Sequence, residues 1–307
     1  MSRVLVLRAL GLGDLLTAIP ALRGLRNALP RAEITLAAPE GLRALAKMTG
    51  AVDRLLPTPG LGKLRWRGPA PELAVNLHGR GPESVADLLG TRSASILGHG
   101  GSGPPWMDDL HDVDRWCRLL RYGGIVADPT DLALPVPPVP SPAPGAVVIH
   151  PGAAFPARRW PPEHFAAVAR TFDGDVVISG GPAEVELASH VARQAGLSQT
   201  AVLAGRTALT ELAALVAGAA LVVCGDTGPG HLATAFGTPS VLLFGPTPPQ
   251  RWGPPPARKE HVVLWHGGAG DPFGSEPDPG LLKITPDEVL GAAALALAGK
   301  PMGAGRA

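Results

Sequence analysis

The sequence has few cysteines, little net charge and no long apolar run, and each shortage excludes a class of protein. Its two cysteines, Cys117 and Cys224, cannot form the disulfide framework of a small secreted protein, and we expect both to be buried core residues. The formal net charge of +1 gives no long-range field to attract nucleic acid or an anionic membrane. The longest apolar region, residues 208–224, is interrupted by Glu211 and Gly218, and a transmembrane helix needs ~20 consecutive apolar residues.

The start of the chain does not read as a targeting segment. The apolar run at residues 4–7 is too short for a signal peptide, and Arg8 and a glycine-rich turn follow it instead of a cleavage site. We therefore expect a cytoplasmic protein with at most peripheral membrane contact, a small-molecule ligand and no nucleic-acid partner. A chain of 307 residues with 45% apolar residues is long enough for two cores, and so for two domains.

The first half alternates short apolar runs with amphipathic stretches. A continuous run of Val and Leu at residues 4–7 is typical of a strand that is buried on both faces of a parallel sheet. We predict strands at residues 4–7, 34–37, 55–56 and 73–77, and helices at residues 14–29 and 41–49. Strands that alternate with helices in this way predict a doubly wound parallel sheet.

A proline-rich segment marks the boundary between two such series. Residues 135–145 contain six prolines and cannot join a sheet interior, so we expect an extended linker there. After it we predict strands at residues 146–150, 176–179, 221–224 and 240–244, and helices at residues 162–172, 184–195, 210–217, 229–236 and 286–298. The predicted fold is therefore α/β, with Rossmann-like domains at residues 1–140 and 146–285. The last helix and tail, residues 286–307, are expected to pack back on the first domain.

The turn after the first strand carries a candidate acid–base residue. Gly11 and Gly13 allow a tight turn and a close approach of a ligand to the backbone, and Asp14 follows them. A dinucleotide fingerprint would require a third glycine at position 16, which is Leu, so a nicotinamide-dependent oxidoreductase is the weaker reading. Asp14 either caps the following helix or accepts a proton from an incoming hydroxyl group.

A second turn, between an apolar strand and a helix, has the features of a diphosphate site. It comprises Asp226, Thr227, Gly228, Gly230 and His231. The unpaired amides of a first helical turn and the helix dipole favour an anion, and the Thr and His side chains add donors. The alternative is that Asp226 and Thr227 cap the helix while His231 only packs.

Several other charged residues are candidate site residues, although the sequence around each is less specific. Arg158 can grip phosphate oxygens with two donors, although adjacent arginines on a loop are commonly only solvated. Glu184, at a helix start, either binds ribose hydroxyls or complements the helix dipole. The candidates for the acceptor side, which are otherwise surface or core-edge residues, are His78, Arg80, His111 and Arg115.

Together these motifs resemble the family 9 glycosyltransferases, the enzymes similar to ADP-heptose:lipopolysaccharide heptosyltransferase. The resemblance spans nearly the whole chain. The segments that carry it are residues 4–14, 19–22, 111–115, 150–152, 159–161, 180–182, 203–207 and 226–231.

The resemblance implies a fold, a reaction and roles for the residues above. The family has the GT-B fold, in which two Rossmann-like domains face each other across a cleft, and it needs neither a metal nor a cofactor. By resemblance, Asp14 is the general base, Gly13 lies at the donor, and the Asp226–His231 turn holds the donor diphosphate. Glu184 falls near the family's ribose-binding carboxylate. The expected reaction is an inverting transfer of a heptose-like sugar from a nucleoside-diphosphate donor, ADP-linked in the family, to a glycan hydroxyl.

One departure concerns the donor phosphate. The lipopolysaccharide enzymes usually have a Lys two positions before the Trp-Pro pair, where this chain has Arg158. Because Arg is bulkier and forked, the sugar or its pose is expected to differ. The first half matches the family only loosely, so the acceptor can also be another glycan, a lipid-linked acceptor or a small-molecule aglycone. A non-catalytic nucleotide-sugar-binding protein remains an alternative function.

Overall fold

Each half of the chain folds around its own five-stranded sheet, and all neighbouring strands within these sheets are parallel. The structure is a computed structural model, which describes residues 2–299. The chain divides between Leu134 and Pro135, at the start of the proline-rich segment. This arrangement is the predicted pair of doubly wound α/β domains. Among the described residues, no helix is both long and apolar enough to cross a membrane.

The N-terminal unit contains five strands and five α-helices within its described part. In chain order they are β1 (Arg3–Leu7), α1 (Leu12–Thr17), α2 (Ile19–Ala28), β2 (Glu33–Ala38), α3 (Arg43–Met48), β3 (Arg54–Pro57), β4 (Leu73–Asn76), α4 (Pro82–Leu89), β5 (Ser95–Leu97) and α5 (Asp112–Tyr122). The strand order is β3-β2-β1-β4-β5. The chain runs from β1 to one side and returns to β4 on the other, which opens a crevice beyond the carboxyl ends of these two strands.

The predicted helix at residues 14–29 is two helices instead of one. The structure begins α1 at Leu12 and ends it at Thr17, and α2 begins at Ile19. Pro20 explains the break, because it has no N–H to donate to the carbonyl of Leu16 and its ring crowds that turn. The break leaves α1 as a short separate helix that carries Asp14.

The C-terminal unit contains five strands and seven α-helices within its described part. They are β6 (Val147–His150), α6 (Pro162–Ala169), β7 (Val176–Ile178), α7 (Val185–Gln194), α8 (Leu209–Ala217), β8 (Leu221–Gly225), α9 (Gly228–Phe236), β9 (Ser240–Phe244), α10 (Pro249–Trp252), β10 (His261–Trp265), α11 (Pro279–Leu282) and α12 (Pro286–Ala298). The strand order is β10-β9-β8-β6-β7, so β6 and β8 flank the point where the winding reverses. Ligands bind at such points in open α/β sheets.

The last helix, α12, covers the sheet of its own unit. Its buried residues, Val289, Ala292, Ala293 and Ala296, join the hydrophobic core that includes Leu221 and Val241. The expectation that residues 286–307 also pack back on the first domain stays a prediction. Most of the buried side chains of α12 are alanine, so the helix packs closely against strands β8, β9 and β10 of the C-terminal unit. The rest of the predicted tail, residues 300–307, lies outside the described residues.

Both cysteines are core residues, as expected. Cys117 and Cys224 are buried and form no disulfide. Burial raises the pKa of each thiol to about 12. Neither is therefore a reactive thiolate near neutral pH.

Candidate functional site

The turn after β1 places Asp14 at the carboxyl edge of the N-terminal sheet. Gly11 is the residue before α1, and Gly13 and Asp14 are the second and third residues of the helix. The Asp14 carboxylate accepts a hydrogen bond from the Gly11 amide at 3.1 Å. Asp14 thus stabilises the start of the helix, but it does so as the third helical residue and not as the residue that precedes the helix, which was one of the two predicted alternatives. Its side chain remains 27% exposed, so it is also accessible to a ligand.

Arg8, the first residue after β1, holds this turn in place through hydrogen bonds from its side chain. Its side chain is 2% exposed, and its Nε donates to the backbone carbonyl of Asp14. One terminal nitrogen donates to Asp14 Oδ1 at 3.4 Å and to Asp112 Oδ2 at 2.6 Å. The other donates to the carbonyl of Leu77, which follows β4. Arg8 therefore joins the ends of β1 and β4 to the first residue of α5.

The two carboxylates beside Arg8 differ in basicity. Burial raises the pKa of Asp14; the Arg8 guanidinium acts in the opposite direction, and the charge of Asp112 adds to the rise. Burial also works against ionisation of Asp112, yet Arg8 and hydrogen bonds from Thr17 and Trp116 hold its pKa below the ordinary value. Asp14 is therefore the stronger base of the pair, which suits a proton acceptor.

His78 and Arg80 lie after β4, beside the same crevice. Burial lowers the pKa of His78, as does Arg8, while Asp14 acts in the opposite direction. The buried Nδ1 of His78 has no hydrogen-bond partner among the described residues. Arg80 is exposed, with its guanidinium 5.7 Å from the centre of the Trp106 ring. Both positions remain compatible with the predicted acceptor side.

His111 and Arg115, the other two acceptor candidates, have structural roles. His111 precedes α5, and its Nδ1 accepts a hydrogen bond from the Val113 amide at 3.2 Å. Arg115 is buried and donates to the carbonyls of Met107 and Leu110, at 2.6 and 3.0 Å. These contacts fix the start of α5 and the loop before it. They favour the core-edge alternative over contact with an acceptor.

In the C-terminal unit, the Asp226–His231 turn lies at the carboxyl end of β8. Thr227 precedes α9, and its hydroxyl donates to the carbonyl of Gly225 at 3.2 Å rather than capping the helix. The predicted capping alternative therefore fails for Thr227. Gly228 opens the helix, and His231 Nε2 lies 3.9 Å from Asp226 Oδ1. The turn presents the positive end of α9 to the β6–β8 crevice.

Gly230 allows α9 to lie close to the sheet. A Cβ atom at this position would be 2.9 Å from Leu242 Cδ2 and 3.4 Å from Cys224 Sγ. A side chain there would require the Leu242 side chain to shift or the first turn of the helix to move. The glycine therefore has a packing role in shaping the turn.

Arg158 reaches the same turn from the loop after β6. It ends a short 3-10 turn, and its guanidinium lies 3.5 Å from the carbonyl of Asp226. Its buried Nε has no hydrogen-bond partner among the described residues. The guanidinium is 5.8 Å from the centre of the Phe155 ring. Two motifs that are 68 residues apart in the chain thus come together, and they bring a cation to the helix start.

Glu184 lies across the end of β6. Its carboxylate accepts the Gly181 amide at 2.7 Å and lies 4.0 Å from His150 Nε2. A Cβ atom at Gly152 would be 1.9 Å from Glu184 Oε1, so only glycine leaves room for this carboxylate. Burial lowers the pKa of His150, and Glu184 acts in the opposite direction. Glu184 supports a helix start, as one alternative predicted, and its ribose-binding role stays a prediction.

Three residues at these sites were not predicted. They are Arg8, Asp112 and Trp252. The Trp252 ring meets the His231 ring edge to face at 6.1 Å between centres, and both line a small pocket with Asp226 and Thr227. The available sequence signal for Arg8 was a charged residue directly after an apolar strand. Asp112 lies in the segment 111–115 that carries the family resemblance, but nothing in that segment indicated its pairing with Arg8, and Trp252 had no comparable signal.

Comparison with known sequences finds similar proteins among the heptosyltransferases. The family described as glycosyltransferase family 9 (heptosyltransferase) matches residues 138–276. Lipooligosaccharide heptosyltransferase 2 of Haemophilus influenzae is 37% identical over 153 residues, 46% of this chain and 44% of the relative. The chain therefore matches less than half the length of that relative. Lipopolysaccharide heptosyltransferase 1 of Escherichia coli K12 is 27% identical over 289 residues, 80% of this chain and 89% of the relative.

Solved structures match over nearly the whole chain. A family 9 glycosyltransferase from Veillonella parvula has a TM-score of 0.77 and 25% identity, with 97% of both chains covered. ADP-heptose lipopolysaccharide heptosyltransferase II of E. coli has a TM-score of 0.76 and 23% identity, with 97% of this chain and 99% of that chain covered.

The two parallel-sheet domains, with a glycine turn at the winding reversal of each, have the GT-B fold of these solved structures. The chain's C-terminal unit matches the family described as glycosyltransferase family 9 (heptosyltransferase), and the chain as a whole is similar to heptosyltransferases of that kind.

Proposed function

We propose that this chain transfers a heptose-like sugar from a nucleoside-diphosphate donor to a hydroxyl group of a glycan or another acceptor, with inversion and without a metal. The observation that carries the proposal is the position of Arg158 beside the Asp226–His231 turn, at the winding reversal of the C-terminal sheet. A cation and a helix start together suit a diphosphate. We propose ADP as the nucleotide, since a heptosyltransferase of E. coli with the same fold has been solved with ADP.

Asp14 is the proposed general base. It takes the proton of the acceptor hydroxyl while the hydroxyl oxygen attacks the anomeric carbon of the donor sugar. The bond between that carbon and the diphosphate oxygen breaks on the opposite face, which gives inversion. The raised pKa of Asp14, due first to burial, makes this carboxylate a better proton acceptor than an exposed Asp.

The leaving diphosphate gains negative charge, and we propose that Arg158 and the first turn of α9 stabilise it. A well-placed donor to developing charge contributes roughly 3–4 kcal/mol in comparable sites. A helix terminus alone contributes only about 0.3–2 kcal/mol, so the side-chain cation is expected to outweigh the dipole. Glu184 is the proposed partner of the ribose hydroxyls, and Gly13 and His231 are proposed to lie along the donor.

Calorimetric titration of the purified full chain in EDTA tests the donor class. The ligands are ADP, GDP, UDP, dTDP and NAD. Selective micromolar binding of ADP supports the proposal, and ADP-heptose is then assayed for transfer to lipopolysaccharide core acceptors and to other glycans. Binding without turnover on any acceptor would favour a non-catalytic nucleotide-sugar-binding protein. Binding of NAD alone would contradict the transferase proposal.

A further inference from the structure

The buried carboxylate of Asp112 takes no part in the proposed reaction, although it lies next to the proposed base. Asp112 is the first residue of α5 and is 6% exposed. One of its oxygens, Oδ2, accepts hydrogen bonds from Arg8 at 2.6 Å, from the Thr17 hydroxyl at 2.7 Å and from the Trp116 indole at 2.9 Å. Three donors on one oxygen hold this carboxylate as a fixed anion.

Arg8 is shared between this anion and Asp14. The same terminal nitrogen lies 2.6 Å from Asp112 Oδ2 and 3.4 Å from Asp14 Oδ1. The guanidinium is also held by the carbonyl of Leu77 and lies 4.8 Å from the centre of the Trp116 ring. Its shorter carboxylate contact is therefore with Asp112, and the contact with Asp14 is the longer one.

We infer that Asp112 is a positioning residue for Asp14, because it holds the Arg8 guanidinium away from the Asp14 carboxylate and so preserves the basicity of Asp14. This inference rests on the proposed role of Asp14 as the general base. If the Asp112 charge were absent, Asp14 would be the remaining carboxylate beside this Arg8 nitrogen and would experience the cation without the opposing charge of Asp112. Asp14 would then be a weaker base and a poorer proton acceptor.

The charged groups around Asp14 predict the direction in which its pKa should change when the Asp112 charge is removed. Asp14 faces Arg8 from the end of β1, Asp112 from α5 and His78 from the loop after β4. Arg115, on α5, approaches Asp112 at 3.8 Å from its other oxygen. Arg8 lowers the pKa of Asp14 and Asp112 raises it, after burial as the largest cause. Removal of the Asp112 charge alone should therefore lower the pKa of Asp14.

The decisive experiment is a carbon-13 NMR titration of the Asp14 carboxyl group in the full chain, compared between wild type and Asp112→Asn. Asparagine keeps the size of the side chain and still accepts hydrogen bonds from Thr17 and Trp116. We expect the titration midpoint of Asp14 to move to lower pH. We also expect kcat to fall about tenfold, with donor Kd within a few-fold of wild type. The matched control is Asp114→Asn, an exposed carboxylate in the same helical turn, which should leave both readouts unchanged.

A double variant keeps the test decisive if Asp112→Asn does not fold. Arg8→Gln with Asp112→Asn removes both buried charges, which folds tolerate better than the loss of one partner. Asp14 then loses the stronger influence of Arg8 together with the weaker one of Asp112, so its midpoint should move to higher pH. A purely structural role would not reverse the sign between the single and the double variant.

The outcomes separate this inference from the proposed function. A midpoint that stays in place or rises in Asp112→Asn, or falls in the double variant, overturns the role of Asp112. The titration does not depend on turnover. An Asp14→Asn enzyme that keeps its activity would instead overturn Asp14 as the base, whatever the midpoints are.

Discussion

Replacement of Asp14 by Asn should remove the proposed base while leaving its surroundings nearly intact. The Asn side-chain oxygen can still accept the Gly11 amide, which the native carboxylate receives at 3.1 Å, so α1 should still begin at Leu12. Arg8 keeps its closer partner, Asp112, at 2.6 Å, so the buried cation is not left unpaired. We therefore expect a small change in melting temperature.

The expected loss appears in turnover. General-base catalysis contributes typically 10²–10⁴ in rate, which corresponds to about 2.7–5.4 kcal/mol. We expect kcat of Asp14→Asn to fall by that range. Donor Kd should stay within a few-fold of wild type, since the proposed diphosphate contacts come from Arg158 and the Asp226–His231 turn. Single-turnover transfer of a radiolabelled sugar measures the first quantity, and calorimetric titration with the nucleoside diphosphate measures the second.

The pH profile gives a second readout of the same perturbation. A carboxylate acts as a base only when ionised, so wild-type kcat should be lost as the pH falls through the pKa of Asp14. Because burial raises that pKa, the loss should begin at a higher pH than for an ordinary Asp. The matched control is Glu211→Gln, which alters an exposed carboxylate that accepts the Ala208 amide at 2.7 Å in an equivalent helix start. Unchanged kcat in Asp14→Asn, or a parallel loss of donor affinity, would refute the assignment and leave Asp14 a structural residue.

Two further predictions concern the C-terminal unit, and a third concerns the two buried thiols. Arg158→Ala should lower kcat by roughly 10²–10³ in the transfer assay, because it removes a cation from the leaving diphosphate. Arg159→Ala, which removes a contact to the carbonyl of Ala153, should lower kcat only a few-fold, and equal losses would contradict the assignment. Gly152→Ala should weaken donor binding about tenfold in calorimetry, because the added Cβ would displace Glu184 and a lost hydrogen bond costs ~1 kcal/mol or more. Neither native thiol should react with Ellman's reagent before unfolding, given burial and pKa values of about 12, and fast labelling at neutral pH would show that the core opens.

The sheets could be predicted because their strands are continuous apolar runs that glycine turns delimit. The strand at residues 240–244 has the predicted bounds, and β1 extends the predicted run by one residue. The strand β10 was missed, because it lies in a stretch rich in proline and glycine and is defined by its pairing with β9. Such pairing is non-local, and a short apolar run alone does not reveal it. The helix break at Ala18 was missed although Pro20 was a visible cause.

The turns that carry the candidate site residues could be predicted from the sequence, but the contacts that support those turns could not. The glycines, acids and His231 are adjacent in sequence, so their spacing already indicated a ligand-binding turn. The Arg8–Asp112 pair joins residues 104 positions apart, and a single sequence contains no signal for such a contact. The same limit applies to Arg115, for which the sequence left an acceptor contact and a core-edge role as alternatives. Its burial among the carbonyls of a loop follows only from the folded chain.

The same hydrogen bond between a carboxylate and a backbone amide recurs at several helix starts in this protein, and the surrounding residues differ from one to the next. Asp14, Glu184 and Glu211 each accept the backbone amide of the residue three positions earlier, at 3.1, 2.7 and 2.7 Å. A sequence pattern treats the three as equivalent helix starts. Glu211 is exposed, whereas Glu184 lies against His150 and Asp14 against Arg8. Both of these acids also follow strands that flank or adjoin a winding reversal, where bound ligands collect. In the proposed function, the chemistry of Asp14 and Glu184 therefore depends on a buried charged or titratable partner and on the sheet edge, and the shared capping geometry supplies only a fixed carboxylate.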